Sequence, residues 1–152
     1  MSNPGPAFQT SPNRIIGTLF GAVYLLVGLL GFFWVEGVPF AGPGDGRSNL
    51  LIGLFEVNPL HNAVHLLVGA ALLLAGVSTA YAAKRTNTTI GAVYLLLGIV
   101  GFFLAAPDNG QSPINFLSLN TADHILHLGS AVILLASGLG ADRDVHATAA
   151  TV

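Results

Sequence analysis

Imidazole and carboxylate side chains at matching positions of two segments are the first candidates for chemistry in this chain. Segments 58–65 (NPLHNAVH) and 120–127 (NTADHILH) align position by position, and each begins with an Asn. Polar side chains follow three and seven positions after that Asn, and residues four apart lie on one face of a helix. The pattern stacks them in two pairs, His61 above His65 and Asp123 above His127.

Three imidazoles and one carboxylate meeting between two helices would form a site for a first-row transition metal. These ligand types bind Zn and Cu(II), and also Fe and Ni, and Zn or Cu is the expected ion. The sequence contains no cysteine, which excludes a thiolate site and a disulfide. Haem is the alternative cofactor, with His65 and His127 as its axial ligands, although the many small residues favour closer helix packing than a haem allows.

The same side chains also have a structural interpretation. Asn58 and Asn120 are typical helix N-caps, and Asp123 can accept a hydrogen bond from the backbone N–H of its own cap. Histidines near a membrane interface can likewise form hydrogen bonds between helices. Tyr24 and Tyr94 are a further matched pair, expected to be buried, and a structural cross-brace between helices is their favoured role.

The elements that carry these residues are four apolar stretches. Charged residues make up 8% of the 152 residues and hydrophobic ones 53%, and the charges lie outside the stretches or at their ends. A helix needs about 20 residues to cross a bilayer, and a chain this short cannot bury four all-apolar helices in water. The sequence therefore predicts an integral membrane protein with spans at 15–35, 59–80, 88–106 and 121–141.

The chain also repeats itself. Segment 21–33 (GAVYLLVGLLGFF) recurs as 91–103 (GAVYLLLGIVGFF) with ten of thirteen positions identical. This predicts an all-α four-helix bundle built from two duplicated helical hairpins. Because each half holds an even number of spans, the repeat is parallel, with its pseudo-two-fold axis along the membrane normal. The predicted parts are a tail at 1–13, a transmembrane domain at 14–141 with repeats 14–80 and 88–141, and a tail at 142–152.

Basic residues indicate the orientation. Four of the five fall on one side of the predicted bundle, with Lys84 and Arg85 in the connection between the second and third spans. The positive-inside rule makes that side cytoplasmic, so both termini are expected in the cytoplasm and the protein in a bacterial plasma membrane. The two site segments then lie at the extracytoplasmic ends of spans two and four. Segment 50–56 on that side is too short to span and is expected in the membrane interface or the mouth of the bundle.

The duplicated motifs resemble a known family. An N-x-x-H-x-x-x-H span and an N-x-x-D-x-x-x-H span, each preceded by a G-x-x-Y-x-x-x-G-x-x-G-F span, are similar to small bacterial four-helix membrane proteins grouped as a domain of unknown function, DUF4383. The resemblance covers about residues 14–141. It implies the four-helix fold and the Asn, His and Asp motif positions, and it implies no activity.

The expected function is that of a small multi-pass membrane protein, non-enzymatic, with a His/Asp site that is a candidate for binding a transition metal. No activated Ser or Cys accompanies the histidines, which disfavours a hydrolase. One alternative is an accessory or structural subunit of a larger membrane complex, or a homo-oligomer packed through Gly17 and Gly21. Another is a haem-binding electron carrier. The lipid bilayer is the expected surrounding, and a net charge of −2 without a basic patch excludes nucleic acid as a partner.

Overall fold

The computed structural model describes residues 11–44, 49–104 and 114–143. Within these ranges the chain forms four long helices, all apolar enough and long enough to cross a membrane. The protein is therefore a multi-pass, all-α membrane protein, as the sequence predicted. The elements are α1 (Pro12–Gly31, followed by a 3-10 turn at Phe32–Trp34), β1 (Leu50–Leu51), β2 (Phe55–Glu56), α2 (Pro59–Val77), α3 (Ala80–Leu104) and α4 (Thr121–Gly140).

Burial in this bundle is inverted relative to a water-soluble protein. Leu67 and Phe103 on the helix surfaces are 72% and 77% exposed, whereas Asn13, Asn62 and Asn87 are completely buried. Lipid gives no gain for burying an apolar side chain between helices, but a polar group facing hydrocarbon is costly. The polar side chains of the helices consequently lie between them.

The helices pack closely in sequence-adjacent pairs, α1 against α2 and α3 against α4, with glycines at the points of closest approach. The Cα of Gly21 faces the backbone of Leu73, and that of Gly76 faces the backbone of Thr18. A methyl group at either glycine would overlap the facing backbone, so small residues set the distance between the helices of the first pair.

At one end of the bundle, basic side chains join the two helices of each pair. Arg14 at the start of α1 donates to the carbonyls of Gly76 and Val77 at the end of α2. Lys84 in α3 donates to the carbonyls of Ala141 and Asp142 after α4. We call this end, where the described chain begins and finishes, the terminal end, and the opposite end the loop end.

Helix α1 begins earlier than the predicted span. Ser11 is its N-cap, with its hydroxyl accepting from the backbone N–H of Arg14, and Pro12 occupies the first turn. Asn13, predicted to be part of a solvated tail, is buried. Asp142, also predicted to lie in a tail, accepts hydrogen bonds from Ser11 and Asn13. Polar caps extend the helix where a hydropathy boundary suggested a tail.

Helix α3 also begins earlier than predicted. The second span ends at Val77 and α3 starts at Ala80, so the connection is much shorter than the sequence suggested. The prediction that Lys84 and Arg85 lie in a connection before a third span starting at residue 88 is therefore wrong, because both residues are in α3. The hydroxyl of Thr79 accepts from the N–H of Ala82 and caps the new helix. Helix-favouring alanines then carry the helix through the basic residues.

A short antiparallel hairpin occupies the loop end. Leu50 pairs with Glu56 and Leu51 with Phe55. Ile52 and Gly53 at its tip both have positive φ, 49° and 75°, which is unusual for a β-branched residue such as Ile52. The hairpin buries Leu51 and Glu56 and leaves Ile52 exposed, so one side of it faces the helices and its tip faces away.

Candidate metal centre

The first turn of α2 is built by its cap. Asn58 accepts from the backbone N–H of His61 at 2.8 Å, and Pro59 follows it at the first helical position. The amide of Asn58 also donates to the carbonyls of Gly42 and Phe116. The cap thus anchors two loop segments to the start of the helix and fixes the position of His61.

Three buried imidazoles meet at the loop end, and we call them the imidazole cluster: His61, His65 and His127. One ring nitrogen from each lies within 4.8 Å of the other two. The closest pair is Nε2 of His61 and Nε2 of His65, 3.2 Å apart. The ring of His127 has its centroid 6.3 Å from that of His61 and 6.1 Å from that of His65. The i, i+4 spacing and the matching segments predicted a convergence of four side chains, these three and Asp123; the structure brings the three imidazoles together.

A backbone carbonyl determines the tautomer of His61. Its Nδ1 lies 3.2 Å from the carbonyl oxygen of Glu56. Because a carbonyl can only accept, Nδ1 carries the proton and Nε2 presents its lone pair toward His65. This is the arrangement that a metal-binding histidine adopts when its other nitrogen is held by an acceptor. Nδ1 of His65 and Nδ1 of His127 have no hydrogen-bond partner among the described residues.

Asp123 lies beside the cluster with a different set of bonds. Its Oδ2 accepts from the backbone N–H of Asn120 at 2.9 Å and from that of Glu56 at 3.2 Å. Asn120 in turn accepts from the N–H of Asp123, which completes a capping box at the start of α4. The hydrogen bonds of Asp123 are therefore those of a helix cap, as its structural interpretation predicted. Its carboxylate is not part of the group of ligand atoms that lie within 4.8 Å of one another. It does line a cavity of about 110 Å³ with His61 and His65.

The two repeated tyrosines lie directly below the imidazoles. Tyr24 donates to the hydroxyl of Ser130 at 2.8 Å, which joins α1 to α4. Its ring centroid is 5.1 Å from that of His65, and the ring of Tyr94 is 4.8 Å from that of His127. The two tyrosine rings meet each other edge to face at 5.4 Å. Both therefore form the floor of the cluster and connect helices.

His124 does not join the cluster. It lies on a different face of α4, with its ring against Gly101 and 6.2 Å from the ring of Phe102. Asn62, at the equivalent position of the first matching segment, packs against Gly31 in the same way. Neither side chain has a hydrogen-bond partner among the described residues. The fourth imidazole of the motif is thus separate from the other three.

Sequence reasoning missed one residue of the site, Glu56. Its side chain is 1% exposed, its carboxylate accepts from the hydroxyl of Ser118, and its backbone bonds both His61 and Asp123. The available signal was an acidic residue two positions before a helix N-cap, at the end of an apolar run. That signal does not reveal the hairpin that folds Glu56 back over the cluster.

The geometry suits a single ion with imidazole ligands. In a tetrahedral Zn site with Zn–N distances of about 2.0–2.1 Å, two ligand nitrogens lie about 3.3 Å apart. The Nε2 atoms of His61 and His65 are already at 3.2 Å. The third nitrogen, within 4.8 Å, needs to approach by no more than about 1.5 Å to reach the same spacing. The adjacent cavity of about 110 Å³ has room for an ion and a water molecule but is far too small for a haem.

Comparison with known proteins gives a family and no activity. The family model described as Domain of unknown function (DUF4383) matches residues 14–140. No curated protein and no solved structure matches the chain. The match spans all four helices and both site segments, and on that evidence the chain belongs to the DUF4383 family.

Proposed function

We propose that this protein is a non-enzymatic membrane protein whose imidazole cluster binds one Zn or Cu ion. The observation that carries the proposal is the 3.2 Å separation of the Nε2 atoms of His61 and His65, with a nitrogen of His127 close to both. Buried polar groups inside a bundle are normally paired with hydrogen-bond partners. Three imidazoles gathered with unpaired nitrogens are better accounted for by a shared ion than by hydrogen bonds.

Asp123 supplies the negative charge near that ion. Its Oδ2 is occupied by two backbone N–H groups, and Oδ1 is the oxygen left to approach a metal or a metal-bound water from the shared cavity. A carboxylate that is already fixed by a capping box reaches the ion without losing much conformational freedom. Within this proposal Asp123 is therefore the fourth ligand, direct or through water.

We further propose that the cluster lies on the extracytoplasmic side of a plasma membrane. Among the described residues, the terminal end carries Arg14, Lys84, Arg85 and Arg143 against one carboxylate, Asp142. The described acidic residues of the loop end are Glu36, Glu56 and Asp123. This asymmetry supports a cytoplasmic terminal end by the positive-inside rule. The metal would then be taken from outside the cytoplasm.

Metal titration of the detergent-purified, chelator-treated protein tests the proposal. We expect one Zn²⁺ or Cu ion per chain, and a Co²⁺ spectrum of tetrahedral type when Co²⁺ replaces Zn²⁺. His65→Ala and His127→Ala should each abolish binding. Asp123→Asn, which keeps the acceptor for the cap, should weaken it by about tenfold or more.

The matched control is His124→Ala, because His124 is a buried imidazole of the same helix outside the cluster. Its metal content should equal that of the wild type. Absence of any ion from the wild-type protein, or equal loss in His124→Ala and His127→Ala, would refute the proposed site. Circular dichroism of each variant distinguishes loss of a ligand from loss of the fold.

Cysteine labelling tests the orientation, because the chain contains no natural cysteine. Ile52→Cys at the hairpin tip and Ser78→Cys between α2 and α3 are both exposed positions. On intact cells a membrane-impermeant maleimide should label Ile52→Cys and should label Ser78→Cys only after lysis. The reverse pattern would place the imidazole cluster in the cytoplasm.

A further inference from the structure

Each helix pair carries a pocket at the terminal end. The α1–α2 pocket has a volume of about 430 Å³ and is lined by residues that include Arg14, Thr18 and Gly76. The α3–α4 pocket has a volume of about 320 Å³ and is lined by residues that include Lys84, Arg85, Thr88 and Gly138. Both are at the opposite end of the bundle from the imidazole cluster.

The two pockets are built from corresponding positions of the sequence. The offset that aligns segment 21–33 with 91–103 also aligns Arg14 with Lys84 and Thr18 with Thr88. The offset that aligns segment 58–65 with 120–127 also aligns Gly76 with Gly138. In each pocket a basic residue in the first turns of one helix is followed one turn later by a Thr, opposite a Gly of the partner helix. Recurrence of the same pocket on both pairs makes an accidental gap in packing a poor explanation.

Backbone carbonyls hold the basic groups at the rims of these pockets. Arg14 donates to the carbonyls of Gly76 and Val77, and Lys84 donates to two carbonyls after α4. Arg85 donates to the hydroxyl of Tyr81 and lies over its ring. Within the described ranges, none of these bonds joins the three cations to a carboxylate. The carboxylate of Asp142 lies close enough to Lys84 to interact with its charge, and Arg14 and Arg85 add one further cation to each rim, so both rims are ordered and keep a net positive charge.

Below the rim, the α1–α2 pocket is apolar and open toward lipid. Ile15 and Leu19 form its wall and are 47% and 57% exposed. In the α3–α4 pocket the exposed apolar side chain is Leu139, and Thr89 takes the place of Leu19. A charged rim above an apolar wall matches an amphiphile with an anionic head, whereas a free anion would use the rim alone.

We propose that the two pockets bind anionic phospholipids from the leaflet at the terminal end, one lipid on each helix pair. The phosphate lies at the basic rim, where Lys and Arg attract acidic headgroups, and an acyl chain lies along the apolar wall. The α3–α4 pocket has two cations and the α1–α2 pocket one, but the carboxylate of Asp142 offsets part of the charge of Lys84, so we expect both lipids to bind with a similar dependence on salt. This proposal is independent of the metal site.

Native mass spectrometry of the full chain with added phosphatidylglycerol or phosphatidylcholine tests the proposal. We expect two phosphatidylglycerol molecules per chain and no retained phosphatidylcholine. Arg14→Gln should remove the lipid of the α1–α2 pocket and leave one lipid per chain. The double variant Lys84→Gln with Arg85→Gln should remove the lipid of the α3–α4 pocket and also leave one. Combining all three substitutions should leave none.

Three controls make the result decisive. Arg143→Gln removes an exposed basic residue of the same end that lines neither pocket, and it should keep both lipids. Glycerol 3-phosphate at equal concentration should not compete, because it lacks the acyl chain. If Arg14→Gln loses helical circular dichroism, Ile15→Glu replaces it, since this substitution places a negative charge in the pocket at an exposed position.

Retention of two lipids by the Arg14 or Ile15 variant would overturn the proposal. Equal retention of phosphatidylcholine and phosphatidylglycerol would overturn it as well, because that result shows apolar contact without recognition of charge. Competition by glycerol 3-phosphate would also contradict it and would assign the rims to a soluble phosphate.

Discussion

The two ends of the bundle contain buried polar clusters that are satisfied in opposite ways. At the terminal end, Asn13 donates to Asp142 and accepts from both Asn87 and Ser137. At the loop end, the imidazole cluster contains one imidazole–imidazole contact at 3.2 Å and two ring nitrogens with no partner among the described residues. Asn13 and Asn87 are as completely buried as the three imidazoles, so exposure of these side chains does not explain the difference.

This contrast distinguishes a polar cluster that holds helices together from a polar cluster that binds a ligand. A buried polar group without a partner costs free energy, and a fully bonded network does not. The terminal-end network joins α1, α3 and α4 through hydrogen bonds that are already made, and Oδ1 of Asn87 is its one buried side-chain atom without a partner among the described residues, as expected for a structural latch. The imidazole cluster contains ring nitrogens that form no hydrogen bond among the described residues, as expected for a site that becomes more stable when an ion binds.

Substitution of the central residue of each cluster should show the largest difference. Asn13→Leu removes three side-chain hydrogen bonds and should lower the free energy of unfolding by about 2 kcal/mol, at about 0.6 kcal/mol for each bond in a bilayer-like medium. His65→Leu in metal-free protein removes one such contact and should cost less than about 1 kcal/mol.

Unfolding in mixed detergent, followed by circular dichroism, measures both values. Addition of metal should stabilise the wild type and Asn13→Leu by the same increment, about 2.7 kcal/mol at one hundred times the dissociation constant. It should leave His65→Leu unchanged. A metal-free His65→Leu that is less stable than Asn13→Leu would show that the imidazole cluster is the structural latch.

Glycine substitutions should reveal a smaller difference in tolerance between the ends. At the terminal end, a Cβ on Gly76 would lie 2.5 Å from the backbone nitrogen of Thr18, so Gly76→Ala must move the helices apart. At the loop end, a Cβ on Gly31 would meet only side-chain atoms of Asn62, which can shift without breaking a hydrogen bond because its amide has no partner among the described residues. Gly76→Ala should cost about 2 kcal/mol and Gly31→Ala less than about 1 kcal/mol.

Gly129→Ala is the control for helix propensity, because nothing lies within 4 Å of the added methyl group. It should be neutral or stabilising by up to about 1 kcal/mol. Equal costs for Gly76→Ala and Gly31→Ala in the same unfolding assay would mean that the loop end is packed as rigidly as the terminal end.

The sequence predicted most of the helical architecture because each part of that prediction depends on local pattern. The length of the apolar stretches predicted the four spans, and the spacing of His61 and His65 predicted that both lie on one helix face. Duplication itself stays a prediction, supported by corresponding contacts such as Gly31 with Asn62 and Gly101 with His124. Helix starts were less accurate because caps such as Ser11 override a hydropathy boundary.

Features that depend on distant parts of the chain were not predictable from pattern. The bonds of Asp142 to Ser11 and Asn13 join opposite ends of the sequence, and nothing local distinguishes Asp142 from a tail residue. Glu56 reaches the candidate site through a hairpin whose tip places Ile52 at positive φ, against the preference of a β-branched residue. Contacts of this kind require the tertiary structure.

The smallest expected difference between the ends is a dependence on acid that originates at the terminal end. Partial burial raises the pKa of Asp142, but hydrogen bonds from Ser11 and Asn13 and the charge of Lys84 outweigh it, so the pKa lies below its usual value. A carboxyl with a lowered folded-state pKa stabilises the protein above its unfolded-state pKa of about 3.9 and loses that contribution as pH falls through the folded-state value.

Measuring unfolding of the wild type and of Asp142→Asn between pH 6 and pH 3 isolates this contribution. The wild type should be more stable at pH 6 by no more than about 1 kcal/mol, because the carboxyl is partly exposed and screened. The difference should shrink below about pH 4 as Asp142 is protonated. Taking the difference isolates residue 142, because all other residues are the same in both chains. A difference that stays constant or grows on acidification would show that the ionisation of Asp142 does not contribute to stability. The terminal-end latch would then depend on the neutral hydrogen bonds of Asn13.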